Sequence, residues 1–153
     1  MDEITNSPVL RILLLEDDQD DKKFFKEALT ELNIHHEITF ASDCFNLINL
    51  LFEKIDFDII FLDLNIPEIN GIECLKRIKS NDAYKNIPVI IFTGSKIQSG
   101  MDEAYLYGAH HYIVKPFSHL NYKASLKIIF DLNWKEKQPL PPQEKYVVNL
   151  AFN

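Results

Sequence analysis

Four apolar runs in this 153-residue chain each end in side chains able to do chemistry. The run from Val9 to Leu15 stops at Glu16-Asp17-Asp18, and that from Ile59 to Leu62 stops at Asp63. Val89 to Phe92 stops at Thr93-Gly94-Ser95, and Tyr112 to Val114 stops at Lys115. Acids that share a pocket repel, by roughly 4 kcal/mol for two unit charges about 4 Å apart at an effective dielectric near 20. A divalent cation relieves that repulsion, and an all-oxygen ligand set with room for water suits Mg²⁺. Thr93 and Lys115 are donors, set where a second anionic group would sit. A phosphoryl group on Asp63 satisfies both sides, with metal on one and Lys115, Thr93 and the backbone N–H groups of Gly94 and Asn65 on the other. Phosphoryl transfer is accelerated by such positioning and charge neutralisation, and a carboxylate can serve as its nucleophile.

For these residues to meet, the runs that carry them must be parallel neighbours. Ile59 to Leu62 is continuously apolar, as in a strand buried on both faces. Helical patterns separate the runs: Phe25, Ala28, Leu29 and Leu32; then Phe45, Ile48, Leu51, Phe52 and Ile55; then Ile72, Leu75 and Ile78. Pro67 and Asn70-Gly71 predict a forced turn after Asp63. Five strands alternating with five helices, the second strand being Glu37 to Phe40, predict an α/β fold: a flavodoxin-like, doubly wound parallel sheet of order 2-1-3-4-5. In such sheets ligands bind beyond the carboxyl ends of the strands, where these polar residues fall. The reading divides the chain into a tail (1–8), one domain (9–134) and a Pro-containing arm (135–153).

Composition narrows the function. A net charge of −7 and a pI near 5.2 argue against nucleic acid and anionic membranes as partners. No apolar stretch has the roughly 18–20 residues of a membrane span, and the acidic N-terminus is not a signal peptide. Cys44 and Cys74 read as packing residues without a disulfide framework, in a cytoplasmic protein.

Taken together and in order, Leu15-Glu16-Asp17-Asp18, Leu62-Asp63-Leu64-Asn65-Ile66-Pro67, Phe92-Thr93-Gly94 and Val114-Lys115-Pro116-Phe117 resemble the receiver domain of two-component response regulators over residues 9–132. The resemblance implies that Asp63 accepts phosphate from a sensor histidine kinase or a histidine phosphotransfer protein. It implies Mg²⁺ held by Asp17, by Glu16 through water, by Asp63 and by the Asn65 carbonyl. Thr93 and Tyr112 match the paired switch residues and Lys115 the phosphate-binding lysine, with a cis bond expected before Pro116. Within the family, the Asp-Asp-Gln-Asp-Asp run, the aromatic end of the fifth helix and the Pro-rich stretch look most like stand-alone receivers that partner bacterial phytochromes. Output is then expected through protein–protein contact, with no turnover beyond the chain's own phosphorylation and dephosphorylation.

The alternative reading is a Mg²⁺-dependent phosphatase with an aspartyl-phosphate intermediate. Such enzymes carry a second Asp as general acid two residues on, where this chain has Asn65. A flavodoxin-like electron carrier is disfavoured because Glu16-Asp17-Asp18 would repel a flavin phosphate. Asp20 and Asp21 read as first-turn helix charges rather than ligands, and the His35-His36 and His110-His111 pairs as incidental. Leu120, Ala124 and Ile128 are expected to cover the sheet. Leu126, Ile129, Phe130 and Trp134 would then form a wet face suited to a homodimer. Tyr146, Val148, Leu150 and Phe152 alternate as a half-buried strand that should dock on a sheet edge or a neighbouring subunit.

Overall fold

The computed structural model describes residues 8–53, 56–66 and 69–150. Expectations for residues 1–7, Ile55, Pro67 and Phe152 lie outside them. The chain alternates β1 (Leu10–Leu15), α1 (Gln19–Glu31), β2 (His36–Ala41), α2 (Cys44–Phe52), β3 (Ile59–Leu62), α3 (Gly71–Lys79), β4 (Val89–Thr93), α4 (Gln98–Leu106), β5 (His111–Val114) and α5 (His119–Phe130). A short α6 (Gln143–Tyr146) and β6 (Val147–Asn149) follow. All strand pairings are parallel, in the order β2-β1-β3-β4-β5-β6. The expected five-strand order is therefore present, and the arm adds a sixth strand to the same sheet.

The pleat sends alternate residues to opposite layers. Leu13, Leu15, Ile60, Leu62, Ile91 and Tyr112 pack with α2, α3 and α4. Ile12, Leu14, Phe61, Phe92 and Ile113 pack with α1 and α5. Asp18, Asp43, Asn70 and Ser118 cap α1, α2, α3 and α5 with side-chain oxygens.

Several expectations need correction. On α2 the buried residues are Cys44, Leu47 and Leu51, while Phe45 and Phe52 are exposed. Their rings find partners at the rim, Phe45 under Arg77 and Phe52 edge-on to Tyr84. Cys44 and Cys74 form a disulfide, because facing positions on α2 and α3 put their Cα atoms 5.8 Å apart, within bridging range. Helix α5 stops at Phe130 and is rotated relative to the expected face. Leu126 and Ile129 are buried, whereas Leu120 and Ile128 face solvent. Trp134 is also buried: its indole N–H donates to the Ile129 carbonyl (2.8 Å) and its ring meets His110 and His111.

The two histidines are not incidental. His110 Nε2 lies 3.0 Å from the Gln138 carbonyl and His111 Nδ1 lies 3.2 Å from the Tyr146 carbonyl, so both hold the arm. Tyr146 is buried against Tyr105 and Tyr112, and Tyr105 donates its hydroxyl to the Pro141 carbonyl. Among the described residues, no helix is long and apolar enough to cross a membrane.

Candidate functional site

β1, β3 and β5 each deliver one charged residue at the carboxyl edge, and the three meet. Lys115 Nζ lies 2.6 Å from Glu16 Oε1, 3.0 Å from Asp63 Oδ2 and 3.0 Å from Asp21 Oδ2. An ammonium has three donors, and each has a carboxylate acceptor here. The Glu16 and Asp63 side chains are only 4% and 9% exposed, so water screens this cluster little. Burial, aided by the Asp63 charge, raises Glu16 from its ordinary 4.5 to about 7 against the pull of Lys115. Burial pulls Lys115 down, but the charges of Asp63 and Glu16 outweigh it and hold the ammonium above the usual lysine range.

The other oxygen of Asp63 is fixed by the loop that follows β3. Asp63 Oδ1 accepts the Asn65 backbone N–H at 2.9 Å. The Asn65 side chain then donates to Thr93 Oγ1 (3.3 Å), which also accepts the Ser95 N–H (3.4 Å). The Ser95 carbonyl accepts the Tyr112 hydroxyl at 2.9 Å. A continuous path therefore runs from Asp63 through Asn65, Thr93 and Ser95 to Tyr112, and by ring contact to Tyr146 in the arm.

Gly71 makes this loop possible. A Cβ there would stand 2.5 Å from Leu64 Cα and 2.7 Å from the Asp63 carbonyl oxygen. The loop that turns after Asp63 ends at a helix start: Gly71 opens α3, and its N–H donates to the Leu64 carbonyl at 3.1 Å. The requirement for glycine is close backbone approach.

Asp17 and Gly94 are exposed at the rim, and Thr93 is fully buried. The bond before Pro116 is trans, contrary to expectation, trans being the lower-energy isomer by about 0.5–1 kcal/mol. Glu16, Asp17, Asp63 and the Asn65 carbonyl, the expected ligands, would offer oxygen donors of the kind a hard divalent cation takes. In this arrangement Glu16 and Asp63 turn to Lys115. Among the described residues, no three or more His, Cys, Asp and Glu side chains are grouped to hold an ion.

Sequence spacing does not reveal the roles of Asp21, His110, His111 and Tyr146. Asp21 lies 94 residues from its partner Lys115, and nothing local distinguishes it from Asp20. Local spacing marks Tyr146 only as one residue of a strand pattern, not as the ring against Tyr112.

A buried aspartate at the end of the central strand, flanked by acids, a threonine and a lysine on a 2-1-3-4-5 sheet, defines a receiver. The family model "Response regulator receiver domain" matches residues 12–127. The chain belongs to the response regulator receiver family. It is 31% identical over 122 residues to the chemotaxis protein CheY-3 of Vibrio cholerae, covering 80% of this chain and 92% of that one. It is 30% identical over 149 residues to response regulator Rcp1 of Synechocystis, covering 92% and 99% of the two chains. The Mn²⁺-bound form of Rcp1 superposes with a TM-score of 0.75 at 28% identity, covering 87% of this chain and 99% of that one. The phosphorylated cyanobacterial phytochrome response regulator RcpA superposes with a TM-score of 0.77 at 28% identity, covering 88% and 100%.

Proposed function

We propose that this receiver takes a phosphoryl group onto Asp63 from the phosphohistidine of a sensor histidine kinase or a histidine phosphotransfer protein, with Mg²⁺, and passes the change on by protein contact. The placement of Asp63 carries the reading. Its carboxylate is buried at the carboxyl edge, with Oδ1 fixed by the Asn65 N–H and Oδ2 by Lys115. In the transfer, an Asp63 oxygen attacks phosphorus, the new P–O bond forms as the P–N bond breaks, and the imidazole departs with a proton. Lys115 neutralises charge on the phosphoryl oxygens. A bound Mg²⁺, held by Glu16, Asp17, Asp63 and the Asn65 carbonyl, would add further neutralisation.

Thr93 Oγ1 accepts two N–H groups, which leaves its own O–H to donate to a phosphoryl oxygen. Any shift of Thr93 disturbs Ser95, whose carbonyl holds Tyr112. Thr93 and Tyr112 thereby act as the switch pair, and the arm reads Tyr112 through Tyr146. Gly94 is exposed at the rim, and its N–H would serve as a further phosphate donor.

Asn65 stands where a phosphatase of this chemistry needs an acid, and its amide cannot protonate a leaving group. The likeness to the cyanobacterial phytochrome response regulator RcpA supports a phytochrome-type kinase as donor. Trp134 is buried and unavailable to a second copy of the chain. A homodimer or target contact on α5 would use Leu120 and Ile128, with Phe117 ahead of them, all exposed. The test is a phosphotransfer profile, in which the wild type and Asp63→Asn are each incubated with a panel of autophosphorylated kinases. Preferential transfer from a phytochrome-type kinase to the wild type is expected. Equal transfer to the Asn variant would contradict the proposal.

A further inference from the structure

Asp21 is the acceptor at Lys115 that neither the sequence motif nor the family match singles out. Its carboxylate lies 3.0 Å from Nζ, as close as Asp63, and its side chain is 32% exposed. The residue is held from both sides. Its N–H donates to the capping Asp18 Oδ1 at 3.0 Å, and its carbonyl accepts the Tyr122 hydroxyl of α5 at 3.4 Å. The carboxylate therefore leaves a fixed point on the first turn of α1.

The three acceptors on Lys115 have different fates. Asp63 supplies the oxygen that becomes bonded to phosphorus. Glu16 is among the groups that a bound cation would engage, directly or through water. Asp21 belongs to neither event, and is the one acceptor of the three that can stay with Nζ throughout. A lysine ammonium on a flexible stem is otherwise free to follow Glu16 or swing to solvent.

We infer that Asp21 is a positioning residue for Lys115, holding the ammonium beside Asp63 while the phosphoryl group arrives. The inference rests on the reading of Asp63 as phosphoacceptor and extends it to a residue outside the motif. It gives Asp21 and its neighbour Asp20 different roles despite their equal charge and adjacent positions. Asp20 is exposed on the same turn and carries the long-range charge effect without the contact to Lys115.

Asp21→Asn and Asp20→Asn remove the same charge, so comparing them separates contact from field. With acetyl phosphate as donor and Mg²⁺ varied, the labelling rate of the full chain at saturating Mg²⁺ should fall about fivefold in Asp21→Asn, as for loss of a partly screened ion pair. Asp20→Asn should stay within about twofold. A second readout needs no phosphorylation. In ¹⁵N-lysine-labelled protein, the Lys115 ammonium signal should be sharp in the wild type and Asp20→Asn and broadened by exchange in Asp21→Asn. Equal rates in the two variants, or a change only in the Mg²⁺ concentration required, would overturn the positioning role. So would an unchanged ammonium signal. Failure to label the wild type would instead remove the phosphoacceptor reading, and this inference with it.

Discussion

Glu16 and Lys115 lie 99 residues apart in the chain and 2.6 Å apart in space, one at the end of β1 and the other at the end of β5. Glu16 is nevertheless raised to about 7, because burial and the nearby Asp63 charge disfavour its ionised form more than Lys115 favours it. Between the ordinary 4.5 and about 7, the folded chain holds a proton there that the unfolded chain has lost. Stability from this group is full below that window and is lost as pH rises through it. Metal-free protein should therefore lose this contribution between pH 5 and pH 8 in denaturant titrations, and Glu16→Gln should flatten the difference. Mg²⁺ should recover part of it at pH 8. Parallel pH curves for the wild type and Glu16→Gln would contradict the assignment.

The arm should respond to acid in the opposite sense. Burial lowers both His110 and His111, which face the Gln138 and Tyr146 carbonyls as neutral rings. Their contribution to docking is complete above the unfolded value near 6.5 and is lost as pH falls through the folded value. Trp134, the single tryptophan, packs on both rings and reports the event. Its emission should shift to the red only as pH falls below about 6.5, and a His110→Gln, His111→Gln protein should lack that transition. Emission that does not change with pH in the wild type would refute arm release by acid.

Gly71 is where loop and helix meet most closely. In Gly71→Ala the new methyl would fall on the backbone of Leu64 and Asp63, which cannot swing aside as a side-chain tip can. A cost of about 2 kcal/mol is expected from the forced shift, and a melting temperature lower by roughly 4–8 °C. Because the Asn65 N–H would move off Asp63, labelling by acetyl phosphate should slow as well. A variant as stable and as reactive as the wild type would show that the contact relaxes without consequence.

The strand ends were legible in the sequence because β1, β3, β4 and β5 each close in an apolar run cut off by a polar residue. That signal needs no knowledge of partners. The faces of the helices were harder to read. Helix α5 carries apolar residues all round, so its pattern cannot say whether Leu120 and Ile128 or Leu126 and Ile129 meet the sheet, and the structure chooses the second pair. On α2 helical spacing places Phe45 and Phe52 with Leu51 on the buried stripe; Leu51 is buried there, but Leu47 completes the core and the two rings serve at its rim. Asp21, His110 and His111 read as a helix charge and an incidental pair for another reason. Their partners are a distant ammonium and two main-chain carbonyls, and neither leaves a trace in local spacing. The alternating arm was legible as a strand, and the edge of β5 is where it docks.

The central claim is that Asp63 takes the phosphoryl group with help from a divalent cation. Intact-mass measurement after incubation with acetyl phosphate and Mg²⁺ tests it most directly. The wild type should gain one acid-labile phosphoryl group, and Asp63→Asn should gain none, as should the wild type in EDTA. Full labelling of the Asn variant, or equal labelling of the wild type in EDTA, would contradict the account.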